Sequence, residues 1–132
     1  MHIDMDIVFP GGADEERVDA IMDGLRIPTG GEGQPSPFDL FLASIGTCAG
    51  VRVLRFCQER GIPAGDIRIR QRMFYNEEAR RFERIALDIQ LPPDFPAKYQ
   101  EAVVRAAHSC GVQKHLLNPP EVEVHLSTLA AD

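Results

Sequence analysis

Cys48 and Cys110 are the residues whose type and setting suit them to chemistry. Cys48 lies in PSPFDLFLASIGTCAG (residues 35–50), an apolar stretch in which Gly46, Thr47, Ala49 and Gly50 crowd the thiol with small side chains. Cys110 lies in AAHSCGVQKHLLNPP (residues 106–120), near the end of a second amphipathic segment. A thiolate can attack the O–O bond of a peroxide, become a sulfenic acid, and condense with a second thiol to a disulfide. Two thiols on the two segments best suited to form the core supply a nucleophile and a resolving partner for such a cycle. Small neighbours leave room for a substrate, and two glycines inside a helix imply close approach by another group. The alternative is a pair of buried structural cysteines, which free thiols often are.

The third thiol is separated by geometry. Cys48 and Cys57 are nine residues apart, which is about 13.5 Å along a straight helix and about 180° around it. A disulfide requires Cα atoms within about 7 Å, so Cys57 reads as a small core residue. Other constellations are weaker. His108, Cys110 and His115 lack a zinc-ligand spacing and there is no CxxC, so no metal is expected. Gly30-Gly31-Glu32-Gly33 precedes a helix but lacks the Lys-Ser/Thr ending of a phosphate loop, and no cofactor is implied.

These thiols must be positioned by recognisable elements. Residues 2–9 alternate, with Ile3, Met5, Ile7 and Phe9 on one face, and a second run places Val18, Ala20 and Met22 together. Pro10-Gly11-Gly12 breaks the first run, and the two form a hairpin through the loop around residues 10–16, extended by Leu25–Ile27. Ser36 as N-cap, Pro37 at the first helical position and Asp39 three residues after the cap open a long helix over 37–60. Gly61 and Pro63 close it. Residues 66–75 and 81–91 are two strands of a hairpin. Their Arg68, Arg70, Arg72 row is a solvated face answered by Glu83 and Asp88. Residues 93–110 form a second helix whose stripe of Tyr99, Ala102, Val103 and Ala106 continues to Cys110. A short helical turn at 112–117 follows, and EVEVHL (121–126) closes the chain as a strand with Val122, Val124 and Leu126 inward.

This order describes one α+β domain over residues 1–132, with antiparallel sheet and helices on one face. The first helix has no polar side over its first four turns, more apolar surface than one sheet and one helix can cover, which predicts an obligate homodimer. A net charge of −6 argues against nucleic acid or an anionic membrane as partner. No apolar run approaches the roughly 18 residues of a membrane span. Three cysteines without framework spacing and no signal sequence point to the cytoplasm.

PSPFDLFLASIGTC, followed by HSCGVQKHL and then NPPEVEV, resembles the OsmC/Ohr family of thiol-dependent hydroperoxide reductases. The resemblance implies an OsmC-like fold, in which antiparallel sheets wrap around long central helices in an intertwined homodimer. It implies reduction of small organic hydroperoxides at the expense of an external dithiol reductant. Cys48 takes the reactive role and Cys110 the resolving one. In the hydroperoxide-reductase branches a glutamate ten residues before the reactive cysteine holds a catalytic arginine from the early hairpin. That position is Phe38 here. The nearest carboxylate is Asp39, the arginine candidates are Arg17 and Arg26, and Arg52, one turn after Cys48, is a further cation for the thiol. A non-catalytic OsmC-like homodimer that binds a small apolar or electrophilic ligand is the alternative.

Overall fold

The computed structural model describes residues 1–130, which fall into two compact units, residues 1–47 and a second from Cys48 onward. The long helix begins in the first and runs into the second. The class is α+β, and the described residues form antiparallel strands and three α-helices.

In the first unit, β1 (Asp6–Val8), β2 (Val18–Met22) and β3 (Leu25–Thr29) form an antiparallel sheet in that order. Residues 2–5, expected to extend β1, lie outside any strand. β2 and β3 are joined by Asp23-Gly24, both with positive φ (47° and 78°), between the paired Met22 and Leu25. Two residues of left-handed backbone match the twist of a tight hairpin, and Asp-Gly is well suited to it. β3 runs through Pro28, further than the sequence suggested. As an edge strand it tolerates a residue with no N–H.

α1 (Pro37–Arg60) starts as its sequence requires. The Asp39 N–H donates to Ser36 Oγ, and the Ser36 N–H donates to Asp39 Oδ2, each at 3.0 Å. This reciprocal capping box satisfies two amides that the helix leaves open, and the cap alone is worth about 1 kcal/mol. At the other end Gly61 takes φ 64°. Its N–H bonds Gln58 O and that of Ile62 bonds Cys57 O, so the last carbonyls are covered by a left-handed glycine turn.

The second unit packs the rest of α1 against β4 (Arg68–Asn76), β5 (Arg81–Gln90), α2 (Gln100–His108) and their connections. Ala49, Val53, Phe56 and Cys57 meet Phe95, Val103 and Ala107 in its core, and Ile69, Leu87 and Ile89 close it from the hairpin. Arg70 stands opposite Asp88 in the β4–β5 register, whereas Glu83 accepts from Asn76 instead of an arginine.

Three observations bear on the sequence reading, the last two as corrections. α1 buries one stripe, Ile45, Ala49, Val53, Phe56 and Cys57, and leaves Phe38, Phe41, Val51 and Leu54 at 41–50% exposure, so one chain does not supply the cover its composition calls for. By length and composition α1 could also cross a bilayer, against the expectation that no segment approaches that. Its stripe is packed into a core, and Arg52 and Arg55 interrupt its apolar surface. Finally, residues 121–126 are not a strand, and Val122, Val124 and Leu126 are exposed. Alternation gives a segment a strand's faces but no hydrogen-bond partner, and none of the described residues pairs with it as a strand.

Candidate active site

The second helical segment does not run through Cys110. α2 ends at His108, and a separate helix, α3, spans Gly111–Leu117. Cys110 is the N-cap of α3, with extended backbone (φ −80°, ψ 139°), and its sulfur accepts the Gln113 N–H at 3.4 Å. The apparent continuation of the α2 stripe is therefore a turn. It leaves Cys110 2% exposed and brings the Gly111 and Val112 amides to the sulfur of Cys48.

Cys48 sits half-buried on α1, its thiol close enough to that of Cys110 for each to shift the other's ionisation. The Cys48 thiol is held below its ordinary pKa. The Val112 N–H is the main cause, followed by the Cys110 thiol, with smaller help from the Gly111 N–H and the charge of Arg52; burial opposes them. The Cys110 thiol moves the other way, raised chiefly by burial and also by its bond to Cys48, against the Gln113 N–H. The pair is thus polarised: of the two thiols, Cys48 is the one that ionises more readily and Cys110 the one that keeps its proton longer. Cys57 is fully buried in the core and raised by burial. Gly50 is not a forced close approach, because a Cβ there would meet only Ile69 Cδ1 at 3.9 Å, an ordinary contact.

The remaining candidates sort by unit. Arg52 is exposed one turn beyond Cys48. Asp39 is committed to the capping box, and the Phe38 ring lies beside Phe41 at 5.4 Å. The arginines of the first unit are held by Asp19, a residue that sequence reasoning passed over. Arg17 Nε and Nη2 reach its two oxygens at 3.1 and 2.8 Å, and Arg26 Nη1 donates to Oδ2 at 2.6 Å. Asp19 is 0% exposed, and Arg17 foremost, then Arg26, hold its carboxyl below the usual carboxylate range against burial. The signal was present: Arg17 stands two residues before Asp19 at the start of β2, and Arg26 faces Ile21 across the hairpin. His115 Nδ1 bonds Gly111 O, and among the described residues no three His, Cys, Asp or Glu side chains gather as metal ligands.

An antiparallel α+β fold with a thiol on a long helix beside a thiol at a helix cap defines the class. The sequence matches the model of the OsmC-like protein family over residues 30–125, and the chain belongs to that family. Solved structures of the same fold include a proposed osmotic stress induced and detoxification response protein from Psychrobacter arcticus (TM-score 0.66, 20% identity, covering 86% of this chain and 87% of that one). An OsmC-like protein from Mycoplasma pneumoniae is also similar (0.64, 13%, 90% and 89%). So is the organic hydroperoxide resistance protein OhrB of Bacillus subtilis (0.51, 16%, 90% and 93%). No curated protein matches the sequence.

Proposed function

We propose that the protein is a cytoplasmic thiol-dependent peroxidase that reduces small organic hydroperoxides. The hydrogen-bonded, oppositely perturbed pair of Cys48 and Cys110 carries this reading. Cys48 thiolate attacks the terminal peroxide oxygen, the O–O bond breaks, and the departing alkoxide takes a proton from water to leave as alcohol. Sulfur loses two electrons and becomes a sulfenic acid. Cys110 then attacks Cys48 Sγ and the S–O bond breaks. The departing hydroxide takes the Cys110 proton as water, leaving a disulfide that an external dithiol reduces by exchange. Similarity to an organic hydroperoxide resistance protein supports the substrate class.

The test is hydroperoxide consumption with a dithiol reductant. Wild type should turn over cumene hydroperoxide, Cys48→Ser should not, and Cys110→Ser should stall with Cys48 over-oxidised. Activity that survives Cys48→Ser would sink the reading. One observation favours a non-catalytic ligand-binding protein instead: Phe38 stands where the resemblance calls for a glutamate, and Asp39 is occupied by its cap. That alternative requires no activity with any hydroperoxide.

The working unit in this reading is a homodimer. The uncovered face of α1 and the exposed alternation of Val122, Val124 and Leu126 are what a second copy would cover. A monodisperse mass near 14.7 kDa at micromolar concentration would refute it.

A further inference from the structure

One residue bonds to both sides of the turn that presents Cys110. The Gln113 main-chain N–H donates to Cys110 Sγ, and its side-chain Nε2 donates to Ala107 O, both at 3.4 Å. Ala107 lies in the last turn of α2, where carbonyls lack helical partners. Gln113 thus ties the end of α2 to the start of α3 across Ser109 and Cys110, the latter in extended backbone.

We propose that Gln113 is a positioning residue for disulfide formation: its carboxamide fixes the α2–α3 turn so that its N–H holds the Cys110 sulfur against Cys48. The proposal rests on the thiol-peroxidase reading and names what governs its second half. As Cys110 gives up its proton and attacks Cys48, negative charge builds on its sulfur. The Gln113 N–H meets that charge, and the bond is stronger to a thiolate than to a disulfide sulfur. α3 is only seven residues long, so without the tie to Ala107 it shifts and the amide loses its aim. The turn also gives Cys110 a defined rotamer, so that it traps a sulfenic acid before a second peroxide does.

Gln113→Met keeps the length of the side chain and removes the donor; Gln113→Lys restores a donor toward Ala107 O. Both are made with Cys57→Ala. In single turnover with cumene hydroperoxide, Gln113→Met should leave Cys48 oxidation within about twofold. Disulfide formation should slow about fivefold, the worth of one hydrogen bond, with more sulfinic acid at excess peroxide. Gln113→Lys should recover much of the rate. A second measurement needs no peroxide: Cys48 is converted to its mixed disulfide with thionitrobenzoate, and expulsion of that coloured thiol by Cys110 is timed. The same slowing is expected there. An unchanged expulsion rate in Gln113→Met overturns the proposal. So does equal slowing of both steps with a lowered melting temperature, which marks a merely structural residue. Failure of wild-type Cys48 to react with peroxide, with normal expulsion, instead overturns the peroxidase reading and leaves the positioning role standing.

Discussion

The neighbouring thiols of Cys48 and Cys110 are shifted in opposite directions, Cys48 down with the help of the Val112 and Gly111 amides at the start of α3 and Cys110 up by burial. The consequence is a difference in acidity between neighbours. Alkylation by iodoacetamide follows the thiolate fraction, so Cys48 should react with a midpoint below the ordinary thiol value of about 8.5. Cys110 and Cys57, both raised, should lag. Arg52→Gln should move the Cys48 midpoint up slightly, and added salt should shrink that difference because Arg52 is exposed. Peptide mass mapping across pH checks this; Cys110 reacting first would reverse the proposed roles.

Cys57 invites the opposite experiment. Fully buried among Val53, Phe56, Val103 and Ala107, it has no function in the proposed cycle. Cys57→Ala should preserve peroxide reduction and the Cys48–Cys110 disulfide. Cys57→Ser should cost more stability than Cys57→Ala, about 1–3 kcal/mol for a hydroxyl left without a partner. Denaturant melts of the two variants decide it, and equal costs would mean that the serine finds a partner.

The sequence made α1 legible because each of its signals acts locally. Ser36, Pro37 and Asp39 dictate the start, and Gly61 the end, whatever the rest of the chain does. The β4–β5 hairpin was legible for the same reason, its alternation and polar turn being contiguous. Cys110 was misread because spacing of three and four residues cannot distinguish a helix that continues from one that turns at Ser109 and restarts. The restart is what aims the α3 amides at Cys48. Asp19 was missed because its importance lies in Arg26, seven residues away and across a hairpin. The Asp23-Gly24 turn that brings them together was readable and was not used.

Val124 separates a chain acting alone from one completed by a copy of itself. At 93% exposure, its replacement by aspartate should change the stability of an isolated chain by no more than about 0.5 kcal/mol. If the 121–126 alternation is buried by a second copy, Val124→Asp should instead lower the dimer's melting temperature and make unfolding strongly concentration-dependent. Sedimentation and melting at several concentrations measure both. A variant indistinguishable from wild type would place Val124 outside any interface.

Asp19 makes the first unit sensitive to acid. Its folded pKa lies below the unfolded value because two guanidiniums favour the charged carboxylate. The stability this contributes is fully present above the unfolded pKa, about 3.9, and is lost as pH falls through the lower folded value. Asp19→Asn removes the titration and leaves Arg17 and Arg26 facing a neutral amide and each other. At neutral pH the variant should melt below wild type. Between about pH 4 and more acidic conditions the gap should narrow, because wild type loses its ion pairs there and Asp19→Asn has none to lose. The measurement is melting temperature against pH for both proteins, read by a probe in the β1–β3 sheet. A gap of constant size across that range would mean that Asp19 stabilises the sheet through packing and hydrogen bonding, with its charge contributing nothing.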